Sequence, residues 1–142
     1  SIFEEKTCLI VNLYYNKGML PNEIAAYISK IKEESKDLKL GFHGHNNLGL
    51  GIANSLKAYE LGVDFIDISL QGMARGAGNT PAEQFICALM RIGVDLNIDP
   101  INLLDIGEKY ISPFEVNEAP NAIDIISGLS LFHSSYIGTI KK

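Results

Sequence analysis

Two histidines stand two residues apart, His43 and His45, directly after a short apolar stretch. In an extended strand the side chains at positions i and i+2 point the same way, so both imidazoles would lie on one face and could share a cation. Neutral imidazole is the commonest nitrogen ligand of first-row metals. The pair indicates a metal site, although a His-x-His pair taken alone is more often a structural accident.

Further polar residues follow the same predicted strand and the next one. Asn46 and Asn47 come after the histidines, and a second polar group runs from Asp67 to Asn79 and includes Arg75. Chemistry in parallel α/β folds collects in the loops beyond the carboxyl ends of the strands. A buried strand end with so many donors and acceptors needs a ligand, metal or water to satisfy them. The two groups therefore predict one site.

Several of these residues have a plain structural interpretation as well. Arg75 is a fork for a substrate carboxylate or a solvated loop charge, and Asp67 orders a neighbouring histidine or caps backbone amides. His133 lies in an apolar helix-like stretch, where a histidine is more often a core or edge residue than a catalyst. The glycines at 76–78 do not form a dinucleotide fingerprint, because Pro81 stands where its third glycine belongs.

Three strand–helix units are predicted, at about 8–35, 39–61 and 63–93, followed by helices within 99–142. Such alternation with short links is typical of a parallel α/β sheet. The predicted strands are 8–15, 39–43 and 63–70, and the predicted helices begin near Pro21, Gly49, Pro81, Asp99 and Asn121.

Local signals set the expected helix ends and buried faces. Thr80 and Glu83 have the spacing of a capping box with Pro81 at the first helical position. Gly62 and Gly93 are expected just past two helix ends, and the last helix is expected to span 121–134. The apolar stripes are Ile24, Ile28 and Ile31; Ile52, Ala53, Leu56 and Ala58; and Phe85, Ile86, Leu89 and Met90.

Composition restricts the class of protein. The chain has 142 residues, of which 46% are hydrophobic and 20% charged, as in one globular domain. A net charge of −5 argues against nucleic-acid binding, and no apolar run approaches the ~20 residues of a membrane span. Cys8 and Cys87 are expected to be reduced core thiols, which favours a cytoplasmic protein.

The segments 43–55 and 67–79 together resemble the pyruvate-type metal aldolases, the 4-hydroxy-2-oxovalerate aldolase family of the HMG-CoA lyase and isopropylmalate synthase superfamily. A weaker match continues over 128–136. The resemblance implies that His43 and His45 bind a divalent ion, Mn²⁺ or Mg²⁺. It adds Asn79 as a further candidate ligand, with Asp67 and Asn47 in the shell around the ligands.

The family fold is an eight-stranded (β/α) TIM barrel, and the three strands here resemble its sixth, seventh and eighth. The missing first strand normally supplies an aspartate ligand, an arginine and a histidine base. A complete barrel also needs about 250 residues. The chain is therefore expected to be a single partial barrel domain over 1–142, the C-terminal part of a longer protein and inactive alone.

Two departures from the family concern the substrate. Tyr14 and Tyr15 stand where the family usually has Asp-Ser or Asp-Thr, and His133 stands where the aldolase has a tyrosine. The resemblance thus makes Tyr14, Tyr15 and Arg75 the substrate-binding candidates and His133 the catalytic candidate. Because these positions differ, the substrate and the retention of activity stay open.

The function that the resemblance implies is cleavage or formation of a carbon–carbon bond next to a 2-oxo acid, giving pyruvate and an aldehyde. Two alternatives remain: an acyl-CoA-dependent 2-oxo acid synthase, and a non-catalytic barrel remnant that serves as an assembly module. The expected partners are a 2-oxo acid substrate, a second copy of the chain through exposed sheet edges, and, by resemblance, an aldehyde dehydrogenase.

Overall fold

The computed structural model describes residues 8–9, 18–34, 39–114, 120–131 and 136, and of residues 8–9 the backbone alone. Three strands form a parallel sheet in the order β1 (Cys8–Leu9), β2 (Lys39–His43), β3 (Phe65–Asp67). The predicted parallel α/β arrangement is confirmed.

Within the described ranges, five α-helices connect and flank the strands. Asp99 caps the fourth through the amides of Ile101 and Asn102, and Asn121 caps the fifth in a capping box. Gly62 and Gly93 have positive φ angles just past helix ends, as predicted. No helix in the described ranges is both long and apolar enough to cross a membrane. The helices are α1 (Pro21–Glu34), α2 (Gly51–Glu60), α3 (Ala82–Arg91), α4 (Pro100–Tyr110) and α5 (Ala122–Leu129).

One face of the sheet is covered by α1 and α2. Leu40 and Phe42 of β2 are 3% and 1% exposed and belong to the same core cluster as Ile24, Ile28 and Ala58. Because side chains alternate along a strand, the histidine that ends β2 must lie on the opposite face. The apolar stripe predicted for α1 is confirmed for its first two isoleucines.

The other face of the sheet is exposed at β3. Phe65 of β3 pairs with Gly41 of β2, and it is 52% exposed. Two positions along β3, the Asp67 side chain is 53% exposed. Parallel sheets are normally buried on both faces, so this face is one that further protein would be expected to cover.

The predicted capping box at α3 is wrong. The helix begins at Ala82 with Pro81 as its N-cap residue, and no side chain among the described residues caps it. Both carboxylate oxygens of Glu83 lie within 3.0 Å of the Gln71 amide nitrogen. The Thr80 hydroxyl contacts Gly44, Gly51 and Ser55. The Thr80 and Glu83 side chains therefore bond to residues distant in the sequence and do not cap the helix.

The apolar stripe predicted for α2 is confirmed at Ala58, half-buried at Ile52 and Leu56, and wrong at Ala53. Ala53 is exposed, and the fully covered positions include the polar residues Asn54 and Ser55. Asn54 donates to the Met19 carbonyl oxygen at 2.9 Å. This polar side of α2 is buried because residues distant in the sequence supply hydrogen-bond partners for Asn54 Nδ2 and Ser55 Oγ.

On α3 the residues Phe85, Ile86 and Leu89 are buried as predicted, but Met90 is 37% exposed. Cys87 is a free thiol on the exposed side, not a core residue. The covered face is narrow, so Met90 falls at its edge and Cys87 opposite to it.

Two predicted elements are shorter than expected. The third strand, predicted over 63–70, ends at Asp67, because β2 leaves the sheet after His43 and offers no further partner. The last helix, predicted over 121–134, ends at Leu129, and the left-handed conformation of Leu131 (φ 55°) prevents its continuation.

Candidate metal centre at the carboxyl ends of the strands

The two histidines lie side by side at the end of β2. The centroids of the His43 and His45 rings are 5.0 Å apart, with an angle of 79° between the ring planes. Imidazoles on opposite faces of a strand could not approach so closely, so the prediction of one shared side is confirmed. Two ring nitrogens at this spacing can point at one ion.

Asp67 contacts the first of these rings. Its Oδ2 atom lies 3.2 Å from His43 Nδ1, and the two residues are directly paired between β3 and β2. A carboxylate in this position favours the tautomer with hydrogen on Nδ1 and leaves Nε2 as the basic nitrogen. The sequence had left open whether Asp67 orders a histidine or caps amides, and this contact favours the first.

The segment after β3 runs beside the histidine turn and fixes it. Asn79 forms an antiparallel bridge with His45, and the Thr80 amide donates to the Gly44 carbonyl oxygen at 3.0 Å. The Asn46 amide donates to the Gly78 carbonyl oxygen, also at 3.0 Å. The predicted meeting of the two polar groups at one rim is therefore confirmed for the backbone.

Two side-chain oxygens at this rim are buried and have no hydrogen-bond partner within the described ranges: Asn79 Oδ1 and Ser69 Oγ. An unsatisfied buried polar atom costs about 1–3 kcal/mol, so each is a place where a bound ion, water or substrate would be stabilised. Amide oxygen suits Mg²⁺ and Mn²⁺. The prediction did not assign a role to Ser69.

Asn47 is buried, and its side chain is bonded to α5. Its Nδ2 atom donates to the Asp124 carbonyl oxygen at 2.9 Å and to Ser127 Oγ at 2.8 Å. Asn47 thus ties the loop that carries the histidines to a helix almost eighty residues later. The sequence did not predict this contact, because nothing local marks the partner.

The same helix also approaches Gly18, shortly before α1, and Gly76, in the loop that follows β3. A Cβ atom on Gly18 would lie 1.8 Å from the Gly128 carbonyl oxygen, and one on Gly76 would lie 3.1 Å from Asp124 Oδ1. Helix α5 therefore comes close to Gly18 through its own backbone and to Gly76 through the Asp124 side chain. With the Asn47 bonds, α5 closes one side of the rim.

The substrate-binding and catalytic candidates are less well defined by the structure. Arg75 is exposed in the loop that precedes Asn79. Tyr14, Tyr15 and His133 lie outside the described residues, so their roles stay predictions.

The ligand set is incomplete among the residues that the structure describes. No group of three or more His, Cys, Asp or Glu side chains that could hold a metal occurs in the part of the chain that the structure describes. A catalytic metal site usually has three protein ligands and one open position. Two imidazoles and one amide oxygen therefore fit part of such a site.

A family model described as HMGL-like matches residues 3–109. Among curated relatives, 4-hydroxy-2-oxovalerate aldolase 5 of Dechloromonas aromatica is 43% identical over 96 residues, which are 67% of this chain and 27% of that protein. The 4-hydroxy-2-oxovalerate aldolase of Shewanella halifaxensis is 37% identical over 123 residues, 84% of this chain and 36% of that protein. The chain thus spans roughly a third of the length of these relatives.

A solved structure is also similar to this chain. The N-terminal domain of a Bacteroides vulgatus protein assigned as an aldolase superposes with a TM-score of 0.73 and 28% identity. The superposition covers 90% of this chain and 42% of that one. The likeness therefore extends over nearly the whole chain but over less than half of the neighbour.

Proposed function

The chain belongs to the HMGL-like family, and we propose that it is the C-terminal part of a divalent-metal-dependent aldolase acting next to a 2-oxo acid. The observation that carries this proposal is the pair of imidazoles 5.0 Å apart at the carboxyl end of a parallel strand. The names of the relatives suggest the substrate class, 4-hydroxy-2-oxo acids. The products would then be pyruvate and an aldehyde.

The α/β fold with parallel strands matches the HMGL-like TIM-barrel superfamily. We assign β1, β2 and β3 to the sixth, seventh and eighth barrel strands, and residues 1–142 to a single partial barrel domain. The exposed face that carries Phe65 supports this assignment, since the remaining strands would cover it. So does the chain's share of its relatives' length, 27% and 36%.

We assign the metal, Mn²⁺ or Mg²⁺, to His43 and His45, with Asn79 as the third group from this chain. Asn79 Oδ1, which has no hydrogen-bond partner among the described residues, and the imidazole pair are ligands that suit such an ion. A bound divalent ion supplies Lewis acidity toward the oxygens of a 2-oxo acid. The remaining ligand would come from outside the described residues.

The other residues would act around this centre. Asp67 holds the His43 ring and its tautomer through the 3.2 Å contact, and Asn47 holds the histidine loop against α5. Arg75, an exposed guanidinium on the same rim, is assigned to the substrate carboxylate.

Three further assignments rest on the sequence. Tyr14 and Tyr15 follow the strand beside the histidine strand, so they are assigned to the substrate end of the site. His133 is assigned as the acid–base group. The partners would be a second copy of the chain and an aldehyde dehydrogenase that takes the aldehyde product.

The test is metal-dependent release of pyruvate by the full-length protein. The metal-stripped protein should release no pyruvate from 4-hydroxy-2-oxovalerate, and added Mn²⁺ or Mg²⁺ should start the reaction. His45→Ala should stay inactive at the same metal concentration. Lys39→Ala, at the other end of the strand, is the matched control and should keep the activity.

Three other outcomes would contradict this proposal. Release of pyruvate that chelators do not stop would contradict the metal assignment. Consumption of acetyl-CoA in place of aldehyde release would identify a synthase. A folded full-length protein that does neither reaction would be the non-catalytic remnant.

A further inference from the structure

One hydroxyl group joins three segments behind the histidine pair. Thr80 is fully buried, and its Oγ1 atom lies 3.1 Å from the carbonyl oxygen of Gly51, the first residue of α2. The same atom lies 3.4 Å from the carbonyl oxygen of Gly44, the residue between the two histidines. Ser55 Oγ, on α2 and also fully buried, is 2.8 Å away.

These contacts favour one direction of the hydrogen bonds. A carbonyl oxygen only accepts, so the Thr80 hydroxyl can bond to Gly51 or Gly44 only by donating its single hydrogen. In that arrangement Ser55 donates to Thr80 Oγ1. Both hydroxyls are buried, so loss of either one removes a hydrogen-bond partner of the other.

Gly44 fits against this hydroxyl pair with no space left. A Cβ atom built on Gly44 would be 2.6 Å from Thr80 Oγ1, 3.0 Å from Phe42 Cε1 and 3.1 Å from Ser55 Oγ. The side of the turn opposite the imidazoles is therefore filled. The backbone between the histidines cannot move toward the helices.

We propose that Thr80 is a positioning residue of the metal centre. Its hydroxyl, supported by Ser55, holds Gly44 in place and so sets the spacing of the His43 and His45 rings. Thr80 also follows Asn79 directly, so one buried group fixes all three of the metal donors assigned to this chain. The inference rests on the proposed metal function, and Thr80 itself touches no ion.

The test compares Thr80→Val with Thr80→Ser in the full-length protein. Valine keeps the branched shape and removes the hydroxyl, whereas serine keeps the hydroxyl. Thr80→Val should weaken Mn²⁺ binding about 10- to 100-fold, the usual effect of losing a group that orients metal ligands. Thr80→Ser should restore most of the affinity, measured from the electron paramagnetic resonance signal of free Mn²⁺.

A control separates positioning from general loss of stability. Ile28→Val removes one methyl group from the core of α1, where Ile28 is 4% exposed, and it should lower the unfolding midpoint without changing Mn²⁺ affinity. If Ile28→Val weakens Mn²⁺ binding as much as Thr80→Val does, or if Thr80→Val binds like the wild type, the proposal is overturned.

A second measurement needs no metal. The Thr80 and Asn46 amides donate to Gly44 and Gly78, so in metal-free Thr80→Val both should exchange hydrogen faster by about tenfold or more, while the Ile28 amide should not change. Unchanged exchange at Thr80 and Asn46 would overturn the proposal. If the wild-type protein binds no Mn²⁺, the proposed function fails, and this exchange measurement still decides whether Thr80 holds the turn.

Discussion

The β2–β3 pair has a nitrogen donor facing an aspartate at each of its ends. At the amino end, Lys39 Nζ lies 2.6 Å from Asp64 Oδ1, and the Leu40 amide donates to the other carboxylate oxygen at 2.9 Å. At the carboxyl end, His43 Nδ1 lies 3.2 Å from Asp67 Oδ2. The Asp67 side chain is 53% exposed and the Asp64 side chain 26%.

The difference indicates which of the two aspartates has a structural role. Both oxygens of Asp64 are held by donors of the chain itself, first by Lys39 and then by the Leu40 amide, and this holds the pKa of Asp64 below its ordinary value. Asp67 instead contacts one ring of the histidine pair. We therefore expect changes at the amino end to affect stability and changes at the carboxyl end to affect metal binding.

The largest effect is expected for His43→Ala. It removes one of the two imidazoles, so Mn²⁺ affinity of the full-length protein should fall by more than about 100-fold, beyond the usual effect of losing an outer-shell group. Isothermal titration calorimetry measures the change. Lys39→Ala is the matched control on the same strand, and a similar loss of affinity in this variant would contradict the division between the two ends.

A smaller loss is expected for Asp67→Asn. The amide oxygen still accepts from His43 but carries no charge, so Mn²⁺ affinity should fall about tenfold, at the low end for an orienting group. Asp64→Asn makes the same chemical change at the other end and should leave the affinity unchanged. The comparison fails if the two variants bind Mn²⁺ equally.

Features set by local spacing could be predicted from the sequence. The shared side of His43 and His45 follows from the two-residue period of a strand. The start of α4 follows from Asp99 and Pro100, which provide a cap and a preset φ angle. Both predictions need only residues that are close in the sequence, and the structure confirms both.

Features that depend on distant partners could not be predicted. The buried Asn54 and Ser55 of α2 bond to Met19 and Thr80, and Asn47 bonds to α5. No local pattern marks such pairs, so helix-cap rules gave the wrong role to Thr80. One signal was present: a glycine between two site histidines indicates that something packs closely against it.

A stability effect is expected for Asp64→Ala. It removes one partner of Lys39 and the carboxylate that accepts from the Leu40 amide, so the urea midpoint of the full-length protein should fall. Asp67→Ala should change the midpoint less, because Asp67 holds no backbone amide within the described ranges. Equal midpoints for the two variants would show that the amino-end pair does not stabilise the sheet.

The smallest effect concerns pH, because the Asp64 pair is partly exposed to solvent. The pKa of Asp64 in the folded protein is lowered from 3.8, chiefly by the hydrogen bond from Lys39. The unfolded state therefore binds the proton more readily. The stabilisation is complete above pH 3.8 and is lost as the pH falls through the lower pKa of the folded state.

The variant Asp64→Asn tests this pH dependence, because it keeps an acceptor for the Leu40 amide but has no charge to lose. The difference in urea midpoint between wild type and Asp64→Asn should thus stay constant from neutral pH down to about 5 and narrow in stronger acid. Asp105→Asn, an exposed change on α4, controls for the loss of one negative charge. A difference that widens in acid would mean that the carboxylate of Asp64 does not stabilise the folded state.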